Sequence, residues 1–149
     1  MPKGIVKAVV LVDDLDAVLR LLDERLGVEP VVPYESTGEQ AAIGLGWPAD
    51  RGATRGAIVG QPPGMLELVE IPPALRGDVE PGVALLSIGS RDVEGGAASA
   101  RADGLDVWGP RDIVGVDGTT STLARIVAGG VAFELIRYSA EGPGGSRRT

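Results

Sequence analysis

The same order of elements begins twice in this chain, and that duplication limits the folds open to it. Gly4 to Val12 (GIVKAVVLV) is apolar and β-rich, interrupted only by Lys7, and reads as a largely buried strand. Asp13-Asp14-Leu15-Asp16 follows, acids suited to the positive end of a helix. Leu15, Val18, Leu19, Leu22 and Leu26 then recur at helical spacing, and Gly27 is a closing cap. The order restarts at Val83 to Ile88, a strand, followed by a helix over Arg91 to Asp103 that Gly95-Gly96 weakens and Gly104 caps. Between these starts, the sequence predicts strands over Val28–Tyr34, Glu39–Gly46, Thr54–Gly60 and Met65–Ile71. After the second helix it predicts short strands at Leu105–Val107 and near Val114, then Thr119–Val127, a Gly129-Gly130 hairpin turn, and Val131–Tyr138. The polar stretch 73–81 reads as a linker between a first module, 4–72, and a second, 82–139; Ser139 to Thr149 reads as a mobile tail.

Composition narrows the chemistry. A length of 149 residues fits one domain, and 44% hydrophobic residues suffice for a core. The chain has no Cys and no His, so it has no disulfide, thiol nucleophile, Ser-His-Asp triad or His-containing metal site. A net charge of −7 argues against nucleic acid, which demands a basic face. The longest strongly apolar runs are strand-sized, so no membrane span is expected, and no signal-peptide pattern follows Met1. The expected location is cytoplasmic.

The stretches VKAVVLVDDLDAVLRLLDERLGVEP (6–30), GMLELVEIP (64–72), VALLSIGSRDVEGGAASARADGLDV (83–107) and VAFELIRY (131–138) resemble the paired modules of the vicinal oxygen chelate superfamily, which includes glyoxalase, bleomycin-resistance proteins and extradiol dioxygenases. The resemblance implies an α+β fold of two βαβββ modules whose curved mixed sheets enclose a cavity, and a homodimer. It also implies a metal position on the first and last strands of each module, which here fall at Lys7, Glu67, Leu85 and Glu134. A Lys ammonium has no lone pair for a metal and brings its own positive charge to the position, and Leu85 offers no donor. The expectation is therefore no metal and no cofactor, and the superfamily's metal-assisted chemistry does not transfer.

The same charges stand out without any family. Glu67 lies on the strand face of Met65, Val69 and Ile71; Glu134 lies with Ala132, Ile136 and Tyr138; Lys7 lies with Ile5, Val9 and Leu11. Isolated buried charges are costly, so these three are expected to meet in one polar cavity. Two carboxyls beside an ammonium form an acid–base pair for moving a proton between carbons or opening a C–O bond, with Lys7 orienting a carboxylate or stabilising an enolate oxygen. That reading is a metal-independent isomerase, epimerase, lyase or cyclase with catalytic Glu67, Glu134 and Lys7; the bland counterpart is a buried salt bridge. The other functional class is a small-molecule binding protein of the bleomycin-resistance type. Candidate ligand contacts are Leu85, Trp47 in its Pro- and Gly-flanked loop, Trp108, Tyr138, and Arg125, which could hold an anionic substrate group. Each of Trp47, Trp108 and Arg125 also has an ordinary structural reading, as a partly buried surface Trp or a surface Arg.

Overall fold

The computed structural model describes residues 2–61, 64–115 and 118–139. Of the expected tail, 139–149, residues 140–149 lie outside them. Among the described residues there are eight strands: β1 (Pro2–Val12), β2 (Val31–Ser36), β3 (Thr54–Val59), β4 (Met65–Glu70), β5 (Gly82–Ser90), β6 (Asp106–Val114), β7 (Thr120–Ala128) and β8 (Val131–Tyr138). The helices are α1 (Leu15–Leu19), which continues as a π-helical segment over Arg20–Arg25, α2 (Gly38–Leu45) and α3 (Val93–Ala102). The fold is α+β with mixed strand pairing and two βαβββ-like arrangements. The chain separates into two compact units, Lys7–Ala84 and Met1–Val6 with Leu85–Thr149.

In the unit Lys7–Ala84 the strands lie in the order β2-β3-β4-β1, with β1 parallel to β4 and the other pairs antiparallel. The acids after β1 do what the sequence predicts: Asp14 caps α1 by accepting the Ala17 N–H at 3.0 Å. The apolar side of α1 then closes over one sheet face, where Val12, Leu15, Ala57, Val59 and Leu68 are buried and Val18, Leu19 and Leu22 pack on them. The first strand prediction after α1 is shifted, since β2 starts at Val31, beyond Pro30.

The strand predicted over Glu39–Gly46 is a helix. Thr37 accepts the Gln40 N–H at 3.1 Å while the Gln40 side chain accepts the Thr37 N–H at 2.9 Å, a reciprocal capping box. Gly46 closes α2 in the left-handed region, φ 73°. These local end signals outweigh the apolar content that suggested a strand. Within the stretch 73–81, a 3-10 turn at Pro73–Leu75 buries Leu75, and Arg76 donates to the Asp13 carbonyl.

In the second unit the order is β5-β8-β7-β6, with β5 parallel to β8. The two short strands predicted around 105–107 and 114 are one strand, β6, carrying a bulge between Trp108 and Arg111. α3 covers one face through Val93 and Ala97, packed with Ala124, Val107 and Leu135. The Gly95-Gly96 pair, read as a weakness of that helix, has a packing cause. A Cβ on Gly95 would strike the Asp92 carboxylate that caps the helix, and one on Gly96 would lie 2.6 Å from Leu135 Cδ1. No helix among the described residues is long and apolar enough to cross a membrane.

Candidate functional site

Lys7 and Glu67 in one unit, and Glu134 and Arg125 in the other, occupy the sheet face opposite the helix, while Arg55, Glu70 and Arg137 face the helices. On Lys7–Ala84, strand register sets Lys7 and Val9 level with Met65 and Glu67, and Glu67 level with Ile58. The Lys7 ammonium lies 2.7 Å from Glu67 Oε1, with side chains 15% and 19% exposed. The Tyr34 hydroxyl donates to Glu67 Oε2 at 2.7 Å. Burial, followed by the negative charge of Glu67, pushes the Tyr34 phenol far above its ordinary pKa, so it stays a donor. Gly56, paired with Tyr34 across β2 and β3, makes room for the ring: a Cβ there would be 2.5 Å from Tyr34 Cζ and from the Leu68 carbonyl oxygen.

In the second unit, Ser87, Glu134, Arg125 and Trp108 form one row across β5, β8, β7 and β6. Glu134 is 5% exposed and accepts the Ser87 hydroxyl at 2.7 Å on Oε1. Arg125 is half-buried, and burial lowers its guanidinium pKa while the Glu134 charge acts in the opposite direction. The Trp108 ring has the Arg125 guanidinium carbon 4.8 Å and that of Arg111 5.0 Å from its centroid. The bulge in β6 places Trp108 and Arg111 on the same face, which uninterrupted alternation over three positions would not allow.

Lys7 and Glu67 are thus brought together, and Glu134 is set beside Arg125 and Trp108 within its own unit. Leu85 is buried at 5% exposure on the strand face of Ser87 and brings no polar atom. Trp47, the candidate ligand contact in its Pro- and Gly-flanked loop, is a core side chain at 7% exposure: its loop folds back against α2, where a Cβ on Gly52 would touch both Ala41 and Trp47. Tyr138 stands at the end of β8 in register with Ser121 and is 36% exposed. Tyr34, Ser87 and Arg111 were missed. Strand alternation alone puts Ser87 on the face of Leu85; the other two depend on pairing register and on the bulge.

The resemblance sets metal positions at Lys7, Glu67, Leu85 and Glu134. An ammonium holds one oxygen of Glu67, a phenol hydroxyl holds the other, and Leu85 has no donor. No cluster of three or more Asp or Glu able to hold a metal occurs among the described residues.

A hollow of about 530 Å³ on Lys7–Ala84 is lined by Glu35, Thr37, Thr54, Arg55, Glu70 and others. Its cation is already engaged: Arg55 donates to Glu70 Oε1 at 2.9 Å and to Asp16 Oδ2 at 3.0 Å. Those hydrogen bonds, Glu70 first, raise the Arg55 pKa, and they hold both carboxyls below their ordinary values. This is an ion-pair network joining α1 to β3 and β4.

No protein-family model matches the sequence, and no curated protein matches it. Solved structures do match over nearly the whole chain. Methylmalonyl-CoA epimerase from Mycobacterium tuberculosis is 19% identical, with a TM-score of 0.65 over 99% of this chain and 93% of that one. A variant of the Streptomyces coelicolor methylmalonyl-CoA epimerase in complex with 2-nitronate-propionyl-CoA is 22% identical, with a TM-score of 0.66 over 96% and 99%. A methylmalonyl-CoA epimerase in complex with methylmalonyl-CoA and NH4+ gives 22%, 0.64, and 95% and 99%. This chain has the fold of the vicinal oxygen chelate, or glyoxalase-like, superfamily.

Proposed function

We propose that this chain is a metal-independent enzyme that moves a proton at a carbon next to a carbonyl group, an isomerase or epimerase of small acyl compounds. The observation that carries the reading is Glu134 on β8, a carboxylate 5% exposed with the Ser87 hydroxyl 2.7 Å from its Oε1. In the proposed step the C–H bond breaks, its proton passes to a carboxylate, and the electron pair moves onto the carbonyl oxygen as an enolate. The proton then returns to carbon. Glu134 is the proposed base. It is buried, and its Oε1 is oriented by Ser87. On Lys7–Ala84, Glu67 and Tyr34 fix the Lys7 ammonium in place, a side-chain cation at a position where the resemblance implies a metal. Several fold relatives are methylmalonyl-CoA epimerases, which makes acyl thioesters the first compounds to test.

The experiment is proton exchange. The protein is incubated in D2O with methylmalonyl-CoA and a panel of other acyl-CoA esters, and deuterium at the α-carbon is followed by mass spectrometry. We expect exchange that survives a chelator, and a loss of about 100-fold or more in Glu134→Gln with folding intact. Exchange that persists in Glu134→Gln, or that needs an added divalent ion, overturns the reading. The engagement of both Glu67 oxygens favours a second reading, capture of a small molecule without turnover. Ligand-induced thermal stabilisation with no exchange for any compound would select it.

A further inference from the structure

We propose that Arg101, in the last turn of α3, is a positioning residue: its hydrogen bond to the Gly109 carbonyl holds the bulge of β6, and through the bulge it keeps Trp108 and Arg111 on the sheet face where Glu134 works. That Glu134 works there is the reading given above; the tie between Arg101 and Trp108 does not depend on it.

The bulge is a stretch of strand short of ladder partners. Trp108 is in register with Arg125 and Arg111 with Leu123, so Gly109 and Pro110 lie between register pairs and have no counterpart of their own on β7. Pro110 has no N–H to offer. Gly109 takes a φ of 88°, in the left-handed region, and a Cβ there would stand 2.9 Å from the Leu123 carbonyl oxygen, so the strand can turn at this point only as glycine. Arg101 supplies the missing partner, its Nη2 donating to the Gly109 carbonyl oxygen. A hydrogen bond from a charged donor is among the stronger kinds.

The tie joins opposite sides of one sheet. α3 packs on Val107, Ala124 and Leu135, and Trp108, next along β6, points to the other face. There the Trp108 ring meets the guanidiniums of Arg125 and Arg111, at 4.8 and 5.0 Å from its centroid. Arg125 is the cross-strand partner of Glu134. A bulge that relaxed would move the ring from Arg125 and change the setting of the carboxylate beside it. Two ordinary roles compete: a basic residue in the last turn of a helix is favoured by the helix dipole, and a bulge can simply guard an edge strand. Neither links Arg101 to Trp108.

The test reads the indole N–H resonances of the two Trp residues in the full chain. Trp108→Phe assigns them, and the buried Trp47 of the other unit is the internal control. We expect Arg101→Met to shift the Trp108 resonance and leave that of Trp47 still. Gly109→Ala disturbs the bulge directly, and adding Arg101→Met to it should move the Trp108 resonance no further. Arg101 is exposed, so its variant decides the matter should the Gly109 variant fold poorly. A Trp108 resonance unmoved in Arg101→Met, an equal shift of Trp47, or additive shifts in the double variant overturns the tie. In the proton-exchange assay Arg101→Met should lose about tenfold in rate. A rate equal to that of the wild type beside a shifted Trp108 resonance overturns the link to Glu134. A wild-type chain that exchanges no proton overturns the proton-transfer reading, and the Trp108 resonance still decides whether Arg101 positions the ring.

Discussion

Glu67 shows how a partly buried carboxylate is made tolerable. Its charge is met by an ammonium on β1 and a phenol on β2, contributed by residues 60 and 33 positions away. We expect Lys7→Met to cost about 2 kcal/mol in urea denaturation, because it strips a charged partner from a carboxylate with little water around it. Tyr34→Phe should cost about 1–2 kcal/mol by the same measurement, and Lys7→Met combined with Glu67→Leu should cost less than Lys7→Met alone. Ion pairs at the surface set the acid response. Hydrogen bonding from Arg137 holds the Glu94 carboxyl at about 2, against an ordinary value of 4.5, and Arg55 lowers Glu70 and Asp16. A carboxyl depressed in the folded state stabilises fully above its unfolded value and loses that stabilisation as pH falls through its folded value. Unfolding free energy should therefore decline between about pH 4.5 and pH 2. In Arg137→Met and Arg55→Met the decline over that window should be shallower and the neutral-pH stability lower, as urea titrations at stepped pH would report.

Among the elements, α2 and the Tyr34–Gly56 pairing carry the sharpest expectations. Thr37→Ala removes the hydroxyl half of the capping box and should cost about 1 kcal/mol, with amide exchange in α2 rising before that of the strands. Gly56→Ala puts a methyl group 2.5 Å from both a backbone oxygen and the Tyr34 ring. We expect about 2–3 kcal/mol of destabilisation and a displaced phenol, visible as altered near-ultraviolet circular dichroism. The start of α1 was legible in the sequence, since Asp14 caps where acids precede apolar periodicity, whereas Asp92, inside the helix expected over Arg91 to Asp103, is the cap of α3. α2 was misread because an apolar stretch of its length suits either element, and the Thr37–Gln40 capping signal decides between them.

Two units built on one plan each set a helix on one sheet face and a polar row on the other, Lys7 and Glu67 in one unit, Ser87, Glu134 and Arg125 in the other. Protein purified without added metal should carry no stoichiometric divalent ion by elemental analysis, and a chelator should leave its melting temperature unchanged; a bound stoichiometric ion would contradict the fit of Lys7 to Glu67. The opening strand and helix of each unit, the Asp14 cap, and the strand face on which each of Lys7, Glu67 and Glu134 lies are properties of neighbouring residues, because side-chain alternation and helical spacing repeat over a few positions. The sequence by itself determined those. The phenol on Glu67, the hydroxyl on Glu134 and the two guanidiniums on Trp108 come from pairings of distant strands and from a bulge that re-aims Arg111. Only the tertiary structure decided them, because a register shift of one residue would turn every one of these side chains to the opposite face.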